Sequence, residues 1–262
     1  MHLNRIELLR LDYLFSVVVP CLLAIYIADL NLFTYLGVIF GWSFIGITGN
    51  LLNDAIDKDR EIDYTTKELG TIAIVSFVLG IMLLMKSFMN DWRTIILALC
   101  SIFLVIGYCV KIKQYPIINK FVLVFSHIVF PYLMIRIQEP PKPILLGEIL
   151  LLLTFLLFSF SGQVIHEAID KEAMASFSQR KVQIIVQIAS ILTIITGIYA
   201  IILLNDYLLF PMIVVPLGPM YIYRRPVVPR KHIKDVGLVI GNLIMVYILV
   251  LIIAKIPEIL GI

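Results

Sequence analysis

The sequence predicts an all-α integral membrane protein with nine transmembrane helices, and three observations predict it. Hydrophobic residues make up 61% of the 262 and charged residues only 15%, whereas soluble domains carry about 25% charged residues. The apolar residues gather into runs long enough to cross a bilayer, which takes about 17–25 residues as a helix. Lys and Arg collect on alternate connections between those runs, as they do in membrane proteins with a fixed orientation. The mean hydropathy of +1.01 agrees.

In chain order the runs lie at 11–28, 32–52, 71–89, 93–110, 118–137, 144–165, 182–204, 207–223 and 236–254. The first has the length of a signal peptide, but with so many similar runs behind it an uncleaved first span is expected. Short connections, "DLN" at 29–31 and "ND" at 205–206, make consecutive spans antiparallel hairpins. Pro20, Pro131, Pro211 and Pro216 fall inside runs and predict kinks. No Gly/Ser/Pro-rich linker interrupts the series, so residues 1–262 are expected to form a single transmembrane domain. Cys21, Cys100 and Cys109 have no metal-ligand spacing and read as small core hydrophobes. A net charge of +3 is too small to suggest a nucleic-acid partner.

Sixteen of the 21 Lys and Arg fall on one set of connections, from Arg5 and Arg10 through Lys58, Lys113 and Arg180 to Lys234. The other set holds Lys86, Arg93, Arg136, Lys142 and Lys255. The positive-inside rule makes the first set, with the N-terminus, cytoplasmic.

Two acidic stretches on that face repeat one another. "NDAIDKDREID" begins at Asn53 and "HEAIDKEAMAS" at His166, and the offset from Asp54 to Glu167 equals that from Asp57 to Asp170. Each continues an apolar run directly, so its acids begin while the chain is still helical. Asn53, Asp57 and Glu61 then share one stripe at i, i+4 and i+8, with Asp54 beside them. Gln163, Glu167 and Asp170 form a second at i, i+4 and i+7. Like charges about 4 Å apart repel by about 1 kcal/mol even in water, and a bound cation relieves this. Mg²⁺ prefers carboxylate oxygens, takes only one or two from protein, and completes its shell with water and substrate phosphates. Two such stripes facing each other suit metal ions on either side of a diphosphate. Asp59, Asp63 and Glu172 read as solvated caps, and His127 as a hydrogen-bonded intramembrane histidine. His166 stays outside the candidate set.

The order of these motifs resembles the UbiA superfamily of intramembrane prenyltransferases, over nearly the whole chain. The family motif N-D-x-x-D-x-x-x-D is matched by Asn53, Asp54 and Asp57, with Glu61 in the last place. The second Asp-rich motif is matched by Glu167 and Asp170; Met174 stands four residues beyond Asp170, with Glu172 nearby able to compensate. "GYCVKIKQYPIIN" supplies Tyr108, Lys113 and Asn119 after the fourth span. "RLDY" at Arg10 resembles the basic opening of the first helix. The Arg-Pro-Leu-like segment of the family is missing, with "TTKELG" and Lys67 in its place, and Arg180 and Lys181 follow the second motif.

The resemblance implies a UbiA-type bundle that ionises an allylic prenyl diphosphate and transfers its isoprenyl group to a lipophilic acceptor, aromatic or glycerolipid. It implies Mg²⁺ as cofactor, held by Asn53, Asp54, Asp57, Glu61, Glu167 and Asp170. It implies diphosphate contacts from Arg10, Lys67, Tyr108, Lys113 and Arg180. Partners are then the polyprenyl diphosphate donor, the acceptor and the lipid bilayer, with the Asp-rich loops cytoplasmic. Two alternatives stay open: a UbiA-type terpene cyclase acting on the prenyl diphosphate alone, and a transporter, although transporter sites lie near the midplane and these acids lie at span ends.

Overall fold

A computed structural model describes residues 9–57, 64–138 and 143–260, without the side chains of 57 and 256–260. The described residues are helical, with no strand among them. In order they form α1 (Phe15–Ile27), α2 (Leu36–Asp57), α3 (Thr66–Asn90), α4 (Arg93–Val110), α5 (Ile118–Val124), α6 (Phe130–Arg136), α7 (Leu146–Asp170), α8 (Gln179–Leu204), α9 (Pro211–Val214), α10 (Leu217–Ile222) and α11 (His232–Leu260). A π-helical turn, Phe125–Val129, joins α5 to α6.

Seven helical stretches among the described residues are long and apolar enough to cross a membrane. The first and eighth predicted spans fall instead on shorter apolar helices, Leu11–Ile27 and Tyr207–Ile222. Apolar helices thus lie at all nine predicted positions, and among the described residues seven are long enough to count as spans by length and composition, the first and eighth falling short. Proline is the cause in the eighth, where Pro211 opens α9 and Pro216 precedes α10, so one continuous helix cannot form. In the first, a 3₁₀ turn over Leu11–Tyr13 leaves only 13 residues to α1, about 20 Å at 1.5 Å per residue against a hydrocarbon core of about 30 Å.

Contacts divide the chain into two compact units, one of residues 1–111, 126–141 and 240–262, the other of 112–125 and 142–239. In the first, α2 and α3 pack along their length because α2 offers small residues where α3 comes close. A Cβ at Gly37 would lie 2.9 Å from the Leu83 carbonyl oxygen, and one at Gly41 2.7 Å from the Leu84 side chain. Ser76 Oγ then donates to the Phe44 carbonyl at 2.8 Å, and Ile47, Leu51 and Ala55 close the pair against Leu69 and Ala73. Gly37, Gly41, Phe44, Thr48, Leu51 and Ala55 recur every three or four residues, so one face of α2 does all of this. Thr65 and Glu68 begin α3 with a reciprocal cap: Thr65 Oγ1 accepts from the Glu68 amide at 3.2 Å and Glu68 Oε2 from the Thr65 amide at 2.8 Å.

In the second unit α7 pairs with α8 by similar means. A Cβ at Gly147 would meet Leu204 at 2.8 Å, and Thr154 Oγ1 bonds Thr196 Oγ1 at 2.9 Å. Gln183 and Gln187 of α8 donate to the Tyr223 and Met220 carbonyls at 2.9 and 2.8 Å. These bonds take up carbonyls near the end of α10. Outward faces of α3, α4, α8 and α11 expose Met82, Phe103, Tyr199 and Leu243 among many large apolar side chains, a surface suited to lipid rather than water.

Candidate functional site

Both acidic stretches begin as helix, as the periodicity predicts. α2 runs through Asn53 and Asp54 to Asp57, and α7 through Gln163 and Glu167 to Asp170. The α7 helix ends there because Lys171 takes a left-handed backbone, φ 59°. The Asp57 side chain and Glu61 lie outside the described residues. Asn53 and Asp54 belong to the first unit and Glu167 and Asp170 to the second.

In the first unit Arg10 reaches Asp54. Arg10 has a left-handed backbone, φ 46°, at the start of the turn over Leu11–Tyr13. Its Nη2 donates to Asp54 Oδ1 at 2.6 Å, and the Asp54 side chain is only 5% exposed. Beside it, Asn53 Oδ1 is buried without a hydrogen-bond partner among the described residues. Leaving such an oxygen unmatched costs about 1–3 kcal/mol. Lys67 is exposed in the first turn of α3, and Tyr108 is half-buried near the end of α4.

The second unit holds a buried polar cluster. Lys120, in the first turn of α5, is fully buried, and its Nζ lies 2.5 Å from Glu167 Oε1. Asn119 binds both, accepting from Lys120 Nζ at 2.8 Å and donating to Glu167 Oε1 at 2.8 Å and to the Lys113 carbonyl at 2.9 Å. Asn119 thus ties the turn carrying Lys113 to α7. Glu167 Oε2 and Gln163 Oε1 remain buried and unmatched among the described residues. Asp170 is bonded by Lys234, with His166 Nε2 at 3.5 Å. Met174 is buried in the 3₁₀ turn after α7, and Arg180 is exposed at the start of α8.

Besides Asp170, held by Lys234, and the half-buried Tyr108, the described candidate residues fall into three sets. Arg10 joins Asp54 beside Asn53, the Lys113 backbone joins Glu167 through Asn119, and Lys67 and Arg180 stand exposed. Lys120 and Lys234 were not among the sequence candidates, yet each neutralises a carboxylate of the second stretch. His127 is hydrogen-bonded as expected, its Nδ1 2.8 Å from Ser126 Oγ. It lines a small, partly open cleft with Val17, Trp42, Gly46, Gly49 and Ser101.

The donor chemistry separates the two stretches as metal sites. Among the described residues no three of His, Cys, Asp and Glu are grouped to hold a metal ion, although Mg²⁺ needs only one or two protein carboxylates. At the end of α2 the unmatched Asn53 amide oxygen adjoins the Asp54 carboxylate, whose guanidinium partner Arg10 is itself partly exposed, and this hard-oxygen pair fits Mg²⁺. At the end of α7 Glu167 Oε2 and Gln163 Oε1 are unmatched too, but Glu167 and Asp170 each hold a lysine and the Lys120 ammonium is wholly buried against Glu167, so the fit is poorer.

No protein-family model matches the sequence, and no curated protein does. A solved structure of digeranylgeranylglyceryl phosphate synthase, an enzyme in membranes, is similar to this chain with a TM-score of 0.61. The similarity covers 95% of this chain and 96% of that one, at 17% identity. The chain thus shares the fold of that synthase, in line with the fold class that the motif order implies.

Proposed function

We propose that this chain is a Mg²⁺-dependent intramembrane prenyltransferase that moves an isoprenyl group from an allylic prenyl diphosphate to a glycerolipid-type acceptor. The observation that supports this reading most is the fold shared with digeranylgeranylglyceryl phosphate synthase over almost the whole chain. Asn53 Oδ1, unmatched at the motif position where the resemblance puts a metal ligand, supports it independently. The synthase's name describes a glycerol phosphate lipid with two C20 prenyl chains, and that chemistry suggests the acceptor class.

Asn53 and Asp54, with Asp57 and Glu61, would hold Mg²⁺. When bound, Mg²⁺ supplies positive charge to the diphosphate oxygens and so stabilises the leaving group. The carbon–oxygen bond of the allylic diphosphate breaks with its electron pair going to the diphosphate. An acceptor hydroxyl then forms the new carbon–oxygen bond and gives up its proton. Arg10, Tyr108 and Lys113 would stabilise the departing charge, with Lys67 and Arg180 at the outer edge, where dry surroundings make such contacts worth more than in water. The apolar helix interiors keep the allylic cation from water. The Lys and Arg asymmetry supports a cytoplasmic position for this chemistry.

Purified protein given labelled geranyl, farnesyl and geranylgeranyl diphosphates, with and without Mg²⁺ and with geranylgeranylglyceryl phosphate or aromatic acceptors, tests the reading. Diphosphate release that needs Mg²⁺ and a glycerolipid acceptor supports it. Release to a hydrocarbon without acceptor identifies a cyclase. No release from any donor refutes both.

A further inference from the structure

We propose that Lys120 is a resident cation of the second acidic stretch, occupying with its ammonium the place a second metal ion would need, so that Glu167 is not a metal ligand in this chain. The inference rests on the prenyltransferase reading for its context, but its observations stand within the second unit. Lys120 is wholly buried, its Nζ 2.5 Å from Glu167 Oε1. Asn119 closes a three-membered ring of side chains by bonding both partners at 2.8 Å. A lysine with no exposed surface persists only where its charge is matched, and here Glu167 matches it one for one.

A dication added at Glu167 would bind its oxygen at about 2.1 Å. It would then sit beside the ammonium in a dry site, repelled twice as strongly as a single positive charge would be. One further carboxylate acts on the pair: the charge of Glu172 reaches both Lys120 and Glu167, but its side chain is exposed to water. Asp170 is held by Lys234, and the next position of the motif is Met174, whose buried side chain has no oxygen. Glu167 Oε2 and Gln163 Oε1 are left as buried acceptors. With Lys120 matched to Glu167 and Glu172 facing water, they suit a neutral hydrogen-bond donor.

The same geometry says what happens when the ammonium is taken away. Both Glu167 oxygens and Gln163 Oε1, one helical turn apart on α7, become a set of hard donors with net negative charge, which Mn²⁺ or Mg²⁺ can fill. Lys120→Met keeps the length and apolar stem of the side chain and removes only its charge.

The experiment is a Mn²⁺ titration of the full chain in detergent, with free Mn²⁺ counted by electron paramagnetic resonance and thermal melting followed in parallel. Lys120→Met is expected to bind one Mn²⁺ more per chain than the wild type, and Mn²⁺ is expected to raise its melting temperature more than that of the wild type. Lys120→Met/Glu167→Gln is expected to return to the wild-type count, because the added ion uses Glu167. Equal counts in the wild type and Lys120→Met overturn the proposal, as does a double variant that keeps the extra ion. Should Lys120→Met fail to fold even with Mn²⁺, Glu167→Gln decides: an unchanged count supports the proposal, and the loss of one ion overturns it. The wild-type count and its dependence on Asp54 test the prenyltransferase reading separately, since the differences at Lys120 and Glu167 are read against whatever that count is.

Discussion

Gly37→Ala should loosen the helix pair that carries the first acidic stretch. The added methyl would lie 2.9 Å from the Leu83 carbonyl oxygen. That atom is helix backbone and cannot swing aside as a side-chain tip can, so α2 must retreat from α3 by several tenths of an ångström. Overpacking of this kind costs about 1–3 kcal/mol, and the better helix propensity of Ala returns about 1 kcal/mol, for a net loss of about 0–2 kcal/mol. Gly70 supplies the control, because a Cβ there meets nothing within 4 Å. Gly70→Ala should therefore keep most of the propensity gain of about 1 kcal/mol. The two variants differ by the steric cost alone, about 1–3 kcal/mol, which corresponds to several degrees of melting temperature in a chain of this size. Thermal unfolding in detergent, followed by tryptophan fluorescence, reads the difference. If Gly37→Ala melts at or above Gly70→Ala, the close approach of α2 and α3 at Gly37 is wrong.

Other outcomes follow from the same contacts. Asp54→Asn should lower Mg²⁺-dependent diphosphate release by about 100-fold or more, since even partners of metal ligands are worth about 10–100-fold; steady-state release assays check it. Glu167→Gln leaves the buried Lys120 ammonium without its carboxylate and should cost about 3–5 kcal/mol of stability, readable as a lowered melting temperature that Lys120→Met/Glu167→Gln largely restores. At the opposite end of α3, the side-chain hydrogen bond from Arg93 holds the Asp91 carboxyl below its ordinary value of 3.8. A folded-state value below the unfolded one contributes stability that is present above that ordinary value and lost as pH falls through the lowered one. Melting curves between about pH 5 and 3 should therefore slope less in Arg93→Gln than in the wild type. In a cysteine-free chain, Lys67→Cys should react with a membrane-impermeant maleimide in inverted vesicles and not in intact cells, which checks the orientation.

Much of this was legible in the residues. The helical continuation of α2 into Asn53 and Asp54 follows from a stretch with neither Pro nor Gly between Leu51 and Asp57, and the α7 stripe from its matched spacing. The eighth span agrees in extent but is broken into short helices, because hydropathy sees Pro211 and Pro216 as apolar while the backbone sees a missing donor and a steric block. "TTKELG" was weighed only as the place of a missing basic segment. Its Thr65 and Glu68 carry the T-x-x-E signature of the cap that the structure shows. Lys120 and Glu167 could not be paired from the sequence, because 47 positions separate them and only the packing of α5 on α7 brings them together. A lysine entering the apolar run "NKFVLVF" beside Asn119 was the one local sign, and an interfacial anchor explains that pattern equally well.

The central claim is that the end of α2 grips a metal ion on a diphosphate. Electron–nuclear double resonance on the wild-type chain loaded with Mn²⁺ and an unreactive geranylgeranyl thiolodiphosphate tests it most directly. The account predicts a ³¹P coupling to the bound Mn²⁺ that disappears in Asp54→Asn. Mn²⁺ bound without any ³¹P coupling, or a coupling untouched by Asp54→Asn, would contradict it.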